Sequence, residues 1–187
     1  TVPWGYVWSF PRKESVSVGA GSLWGPASPI RSELRKEMQR IASASPSAAS
    51  IAGGALPICT GYRPLHRGRV LLAGDAAGLV DPLLGEGIRH AVHSGELAGE
   101  ACVNDSPVGY ARRVNREIVA DLVWAGRWAR LFYGLPGLSF ALGVRNPHFV
   151  EAFIRVMSGR LSYTELLAKS PFYALRGLAE RFLTVHR

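Results

Sequence analysis

The stretch Gly74-Asp75-Ala76-Ala77-Gly78-Leu79-Val80-Asp81-Pro82-Leu83-Leu84-Gly85-Glu86-Gly87-Ile88 decides how the chain is read. Before it lies the apolar run Val70-Leu71-Leu72-Ala73, which predicts a buried strand. After it, Ile88, Ala91, Val92, Gly95, Ala98 and Cys102 recur at helical spacing, predicting a helix entered near Gly85 with those residues on its apolar face. Strand, glycine loop and helix is therefore the expected local geometry. A carboxylate held at a strand end, here Asp75, can accept hydrogen bonds from ribose or ribityl hydroxyls, and the glycines let backbone amides come close to a ligand. The helix adds the positive end of its dipole, worth about 0.3–1 kcal/mol toward a negative group such as a phosphate. A purely structural strand-turn-helix connection satisfies the same spacing, so spacing alone leaves both readings open.

Working outward, Leu56-Pro57-Ile58-Cys59 predicts a further short strand. Residues 4–10 alternate bulky and small side chains and Ser15-Val16-Ser17-Val18-Gly19 alternates polar and apolar, so a β-hairpin turning at Arg12-Lys13-Glu14 is expected. Ser28-Pro29 supplies a cap and a first-turn proline for a helix carrying Ile30, Leu34, Met38 and Ile41, closed by the Ser/Ala/Pro/Gly stretch 43–54. Downstream, Ser106-Pro107 opens a long helix with Val108, Ala111, Val114, Ile118, Leu122 and Ala125 on one face, broken at Gly134-Leu135-Pro136. Asn146-Pro147 starts another, Ser162 with Glu165 has capping-box spacing, and Ser170-Pro171 is read as the start of a last helix. The expected fold class is mixed, α+β or α/β: short antiparallel strands, a strand-loop-helix segment and an all-helical tail. The boundaries that follow are 1–56, 57–105 and 106–187.

The chain has 187 residues, 48% hydrophobic and 19% charged, which suits a packed core and excludes intrinsic disorder. Its formal net charge of +8 is uneven. Residues 106–187 hold twelve Lys and Arg against five Asp and Glu, whereas 57–105 hold four against six. A basic helical surface calls for an acidic partner, and nucleic acid is set aside because the charge lies on periodic helices and not on a basic arm. Two cysteines, Cys59 and Cys102, match neither a disulfide scaffold nor a CxxC site, and point to a reducing cytoplasm. The longest uncharged run, between Arg130 and Arg145, is too short and too rich in Gly and Pro to span a bilayer. The start Thr1-Val2-Pro3-Trp4 has no initiator Met and no signal-peptide pattern, so the chain is expected to be a piece of a longer protein.

Two patterns invite a functional reading and are set aside. Gly19-Ala20-Gly21 with Gly25 imitates a dinucleotide fingerprint, but Gly25-Pro26-Ala27-Ser28-Pro29 intervenes before any helix, so these glycines are expected to end a strand. Glu86, His90 and His93 share a helical face, yet without HExxH or a cysteine partner no metal is assigned. Neither GxSxG nor GxxxxGK[ST] occurs, which argues against a serine hydrolase and a P-loop enzyme.

The glycine stretch resembles the second flavin-binding motif of para-hydroxybenzoate-hydroxylase-like FAD enzymes. Within that class, Gly74-Asp75-Ala76-Ala77-Gly78 with Pro82 and Gly85-Glu86-Gly87-Ile88 is similar to the geranylgeranyl reductase family, as is Ser94-Gly95 with Ala98 and Ala101. Pro3-Trp4-Gly5-Tyr6-Val7-Trp8-Ser9-Phe10-Pro11 also resembles that family's PxxYxWxFP pattern, which lines its isoprenoid pocket. Read from the residues alone, Tyr6, Trp8 and Phe10 are one face of a strand and suit either an ordinary core or the wall of a polyprenyl site.

The resemblance covers about residues 3–105. It implies FAD as cofactor, NAD(P)H or a ferredoxin-type electron donor, and a prenylated lipid, prenyl diphosphate or pigment as substrate whose C=C bonds are reduced. It places Gly74, Asp75, Gly78, Pro82, Gly85, Glu86, Gly87 and Ile88 at the cofactor, with Asp75 on ribityl or ribose hydroxyls and Gly85-Glu86-Gly87 at the pyrimidine edge, and Tyr6, Trp8 and Phe10 at the substrate chain. No residue is assigned as proton donor. The sequence departs from the family at Leu84, commonly Thr, at Arg89-His90, and in lacking the GxGxxG unit that grips the ADP moiety, so the piece by itself is expected to bind FAD weakly or not at all. The basic tail suggests peripheral membrane contact or a hold on a substrate phosphate; a solvated face is the plain alternative. The oligomeric state is left unassigned. The competing functions are a flavin monooxygenase or halogenase of the same fold, and a non-catalytic isoprenoid- or membrane-binding module.

Overall fold

A computed structural model describes residues 2, 4–23, 27–42 and 51–185. Pro3 of the aromatic pattern, Gly25, and residues 43–50 of the stretch expected to close the first helix lie outside them. The chain divides into two compact units, 1–54 and 55–187.

In the first unit, β1 (Gly5–Pro11) and β2 (Val16–Ser22) form an antiparallel hairpin with Pro11 opposite Val16 and Gly5 opposite Ser22. The turn falls where expected, closed by the Arg12 amide donating to the Ser15 carbonyl at 2.8 Å. Helix α1 (Ala27–Ala42) packs on β2 and carries the ion pairs Lys36–Glu33 and Arg40–Glu37 along its exposed face. Of the glycines expected to end a strand, Gly19 and Gly21 lie in the last four residues of β2. Gly19 is the cross-strand partner of Trp8, and a Cβ at Gly19 would lie 1.9 Å from the indole ring. The glycine is thus the space in which the Trp8 ring lies.

In the second unit, β3 (His66–Arg67) and β4 (Val70–Leu71) make a two-residue antiparallel ladder, turning at Gly68 with φ +56°. This corrects the buried strand read at 70–73: Val70 is 66% exposed and Leu72 is also exposed. An apolar run shows that a segment seeks cover, and among the described residues the strand paired with this run is two residues long. The strand read at 56–59 reduces to one parallel bridge, Ile58 with Val80, supported by the Cys59 amide donating to the Val80 carbonyl at 2.8 Å.

The rest is helical. After the glycine loop come α2 (Ile88–Val103), α3 (Pro107–Val114), a π-helical turn over Asn115–Val119 and α4 (Ala120–Gly134), the last three running on as one rod. Val114, Ile118, Leu122 and Ala125 are buried as their spacing predicts, joined by Tyr110 and Ala129, whereas Val108, read on the same face, is exposed and Ala111 is half-buried. The break at Gly134-Leu135-Pro136 leads through α5 (Pro136–Ser139) and a second π-helical turn to α6 (Pro147–Met157) and α7 (Tyr163–Val185). Asn146 caps α6 by accepting from the His148 amide, and Ser162 and Glu165 form a reciprocal capping box at the start of α7.

Pro171 does not begin a helix; it lies inside α7. Proline removes the amide that would bond the carbonyl four residues back, at Leu167. The Ser170 hydroxyl donates to that carbonyl at 2.8 Å, so the helix continues through the gap.

Candidate functional site

The site is built on the loop between β4 and α2. A 3₁₀ turn, Gly74–Ala77, replaces the expected strand end, and Gly74 enters it at φ +54°. Ala91 of α2 fills the space where a Gly74 side chain would begin, 2.9 Å from that Cβ position. The Gly74 amide donates to Ser94 Oγ at 2.9 Å, and Ser94 in turn donates to the His90 carbonyl at 2.7 Å. Turn and helix are thereby locked together through a buried serine.

Gly78, also left-handed at φ +66°, closes the turn with its amide donating to the Asp75 carbonyl at 2.9 Å. The Arg63 guanidinium lies over Gly78, 2.7 Å from where a Cβ would stand, and donates to Thr60 Oγ1. Asp75 is left with an exposed carboxylate. Its Oδ1 lies 2.9 Å from the Cβ position of Gly87, the residue that caps α2. A side chain at Gly87 would displace Asp75, so the glycine keeps a carboxylate and a helix entrance side by side.

From Leu79 to Leu83 the loop is buried. Asp81, with no exposed surface, organises it. Its Oδ1 accepts from the amides of Leu83 and Leu84 at 2.7 and 2.9 Å, and its Oδ2 accepts from the Tyr163 hydroxyl at 2.6 Å. Its amide donates to the Glu86 carbonyl, and its carbonyl accepts from Gly85, left-handed at φ +68°. Desolvation pushes the Asp81 carboxyl above the ordinary aspartate range against these donors, and burial beside Asp81 pushes the Tyr163 hydroxyl up as well. Two more tyrosines hold the same segment: Tyr133 of α4 donates to the Leu83 carbonyl at 3.1 Å, and Tyr110 of α3 to the Leu72 carbonyl.

Gly74, Asp75, Gly78, Gly85, Glu86 and Gly87 are therefore gathered in one loop, with Pro82 buried on its inner side near Gly126. Ile88 is 80% exposed. Helix α2 begins at Ile88 and not near Gly85, because Gly85 is spent on the left-handed turn. Its buried face also differs from the one expected: His90, Ser94, Leu97 and Ala101 face inward, while Ile88, Val92 and Cys102 face out. Glu86 Oε1 accepts from the Arg89 amide at 2.7 Å, so one donor of the helix entrance is satisfied from within the loop.

Among the described residues Glu86, His90 and His93 do not form one cluster. His93 pairs with Glu117 at 3.4 Å, while His90 is buried 3.9 Å from Glu86 and is held down to a pKa of about 4, first by desolvation and then by Arg89.

Tyr6, Trp8 and Phe10 belong to the other unit. They share one face of β1, with the Tyr6 and Trp8 rings 5.7 Å apart. Tyr6 is 48% and Phe10 61% exposed, so the described part of that unit does not bury them as a core.

Sequence reasoning missed Asp81, Arg63 and the three tyrosines. One signal was present: an aspartate inside the apolar run Leu79-Val80-Asp81-Pro82-Leu83-Leu84 needs partners if the run is buried.

No protein-family model matches the chain, and no solved structure matches it. It is similar to digeranylgeranylglycerophospholipid reductase 1 of Methanopyrus kandleri, 30% identical over 109 residues, or 54% of this chain and 28% of that protein. The chloroplastic geranylgeranyl diphosphate reductase of Nicotiana tabacum is 37% identical over 111 residues, 56% of this chain and 22% of that one. An uncharacterised protein of Methanosarcina barkeri is 33% identical over 148 residues, covering 76% of this chain and 38% of its own length. The chain thus spans well under half the length of these curated relatives.

Proposed function

We propose that this chain, whose curated relatives include digeranylgeranylglycerophospholipid and geranylgeranyl diphosphate reductases, is the C-terminal part of an FAD-dependent oxidoreductase of the geranylgeranyl reductase family that saturates C=C bonds of prenyl groups carried on a lipid or a diphosphate. The observation that carries the cofactor reading is the exposed Asp75 carboxylate set against the side-chain-free Gly87 at the entrance of α2. When bound, FAD supplies redox chemistry, carrying electrons from NAD(P)H or a ferredoxin-type donor to the alkene.

The chain's own residues bind and orient. Asp75 accepts hydrogen bonds from the ribityl or ribose hydroxyls. Gly78, Gly85 and Gly87 let backbone approach the ring system, and Glu86, fixed by the Arg89 amide, shapes the pyrimidine side. Tyr6, Trp8 and Phe10 give a prenyl chain an aromatic wall, rewarded at about 25 cal/mol per Å² of apolar surface covered.

That the piece belongs to a longer protein is supported by apolar surface left open beside the loop, at Val70, Leu72, Ile88 and Val92. Among the described residues no helix is long and apolar enough to cross a membrane. Peripheral contact of the tail with a membrane is supported by exposed Leu135, Leu138, Phe140, Ile154 and Met157.

The test uses the longer protein that contains this chain. It should purify yellow, and with reduced NAD(P)H or ferredoxin it should add two hydrogens per double bond to a digeranylgeranyl phospholipid, read by mass spectrometry. Asp75→Ala should lose the flavin with the circular dichroism intact. A colourless protein, or flavin retained at full strength in Asp75→Ala, removes this reading.

A further inference from the structure

The segment from Asp81 to Arg89 meets the helical tail at both of its ends. At its start, the Tyr163 hydroxyl, from the first residue of α7, donates to Asp81 Oδ2 at 2.6 Å, while the other carboxylate oxygen holds the amides of Leu83 and Leu84. At its end, the Arg89 side chain lies against Gly159, its Cδ 3.2 Å from where a Cβ of that glycine would stand. Gly159 follows α6 at φ +68°, so the glycine that permits a left-handed turn also leaves the bare backbone on which the arginine rests. Both contacts come from one corner of the tail, the connection from α6 to α7.

That corner is braced from a third helix. Asp121 of α4 accepts from the Tyr163 and Thr164 amides at 2.8 and 3.3 Å, and Trp128 of the same helix donates to the Tyr163 carbonyl at 3.4 Å. Burial raises the Asp121 carboxyl, opposed by those two amides and by the charge of Arg89, so the two anchors also feel each other. Tyr163 has no exposed surface, and the Ser162–Glu165 capping box fixes the turn that carries it, so its phenol is held in one place.

Between the anchors lie Gly85, Glu86 and Gly87. The Asp81 amide and carbonyl bond the Glu86 carbonyl and the Gly85 amide at 2.8 and 2.9 Å, and Glu86 Oε1 accepts from the Arg89 amide. A shift of either anchor therefore reaches these three residues through a single hydrogen bond. Resting on the cofactor reading above, we propose that the α6–α7 corner positions the flavin loop: Tyr163 acts through Asp81 and Arg89 acts against Gly159, and together they hold Gly85-Glu86-Gly87 in place for the pyrimidine edge. A part of the chain beyond residue 105, where the resemblance ends, thus becomes part of the cofactor site, and Arg89, a departure from the family pattern, gains a role.

The longer protein that contains this chain is stripped of flavin and compared with Tyr163→Phe, Arg89→Ala and the control Ile118→Val, which lowers stability from the buried interior of the helical rod. Amide exchange at residues 83–89 should be at least about tenfold faster in both anchor variants than in the native protein and the control. On titration with FAD, both anchor variants should bind about fivefold or more weakly, with diminished visible circular dichroism of the bound flavin, against less than about twofold for the control. Native flavin affinity in either anchor variant, or equal losses in the control, overturns the proposal while leaving the cofactor reading in place. A native protein that takes up no FAD overturns both.

Discussion

Tyr163 and Asp81 illustrate how much a single buried contact settles. Among the described residues the phenol reaching from α7 is the one donor to the carboxylate's second oxygen, while the first oxygen folds the loop through Leu83 and Leu84. Tyr163→Phe should therefore cost about 2 kcal/mol in urea denaturation, the range for a hydrogen bond to a charged group left buried. The double variant Tyr163→Phe/Asp81→Asn should lose less than the sum of the two single losses, because the first change removes what the second depends on. His90 makes a prediction in pH. Its folded pKa of about 4 lies below the ordinary 6.5, so the neutral form is favoured on folding; the stability it contributes is present above pH 6.5 and is lost as pH falls toward 4. The slope is worth about 3 kcal/mol at most across that window. Melting followed from pH 7 to 4.5 should fall less steeply in His90→Gln than in the native chain, and parallel curves would show that His90 is not the group responsible. None of these residues was singled out for such a role from sequence, because the partner of Asp81 is 82 positions away and nothing local in the chain announces it.

At the scale of elements, local signals were legible and distant ones were not. Asn146-Pro147 and Ser162 with Glu165 mark helix starts through bonds that span three residues or fewer, so spacing was enough to find them. Ser162→Ala should cost about 1 kcal/mol of stability, measured by thermal unfolding. The face of α2 was misread because hydrophobic periodicity counts apolar residues only, whereas this helix turns inward the polar pair His90 and Ser94, whose bonds and burial serve the glycine loop. The glycines of β2 were legible as special but not as to reason, since the Trp8 ring they admit comes from the opposite strand. Gly19→Val should force that ring off the hairpin, seen as a red shift and loss of intensity in tryptophan fluorescence; an unchanged spectrum with an intact hairpin would refute the packing account.

For the whole molecule, the mixed helix and strand content and the helical tail were readable from composition and period, while the strand before the loop was not. Val70 and Leu72 carry a core signature yet remain exposed together with Ile88 and Val92. If the rest of a longer protein covers them, amide exchange at residues 70–73 should be at least about tenfold slower in that protein than in the 187-residue chain, on the scale by which local protection follows burial. Equal rates would mean that this surface stays open.

The three tyrosine hydroxyls that reach the loop from α3, α4 and α7 have a consequence for inheritance. A descendant that shed its last helix would strand the Asp81 carboxylate, and one that replaced Asp81 would leave the Tyr163 phenol buried without an acceptor. The two positions should accordingly be gained and lost together among relatives, and a loop transplanted without its tail should not keep its shape.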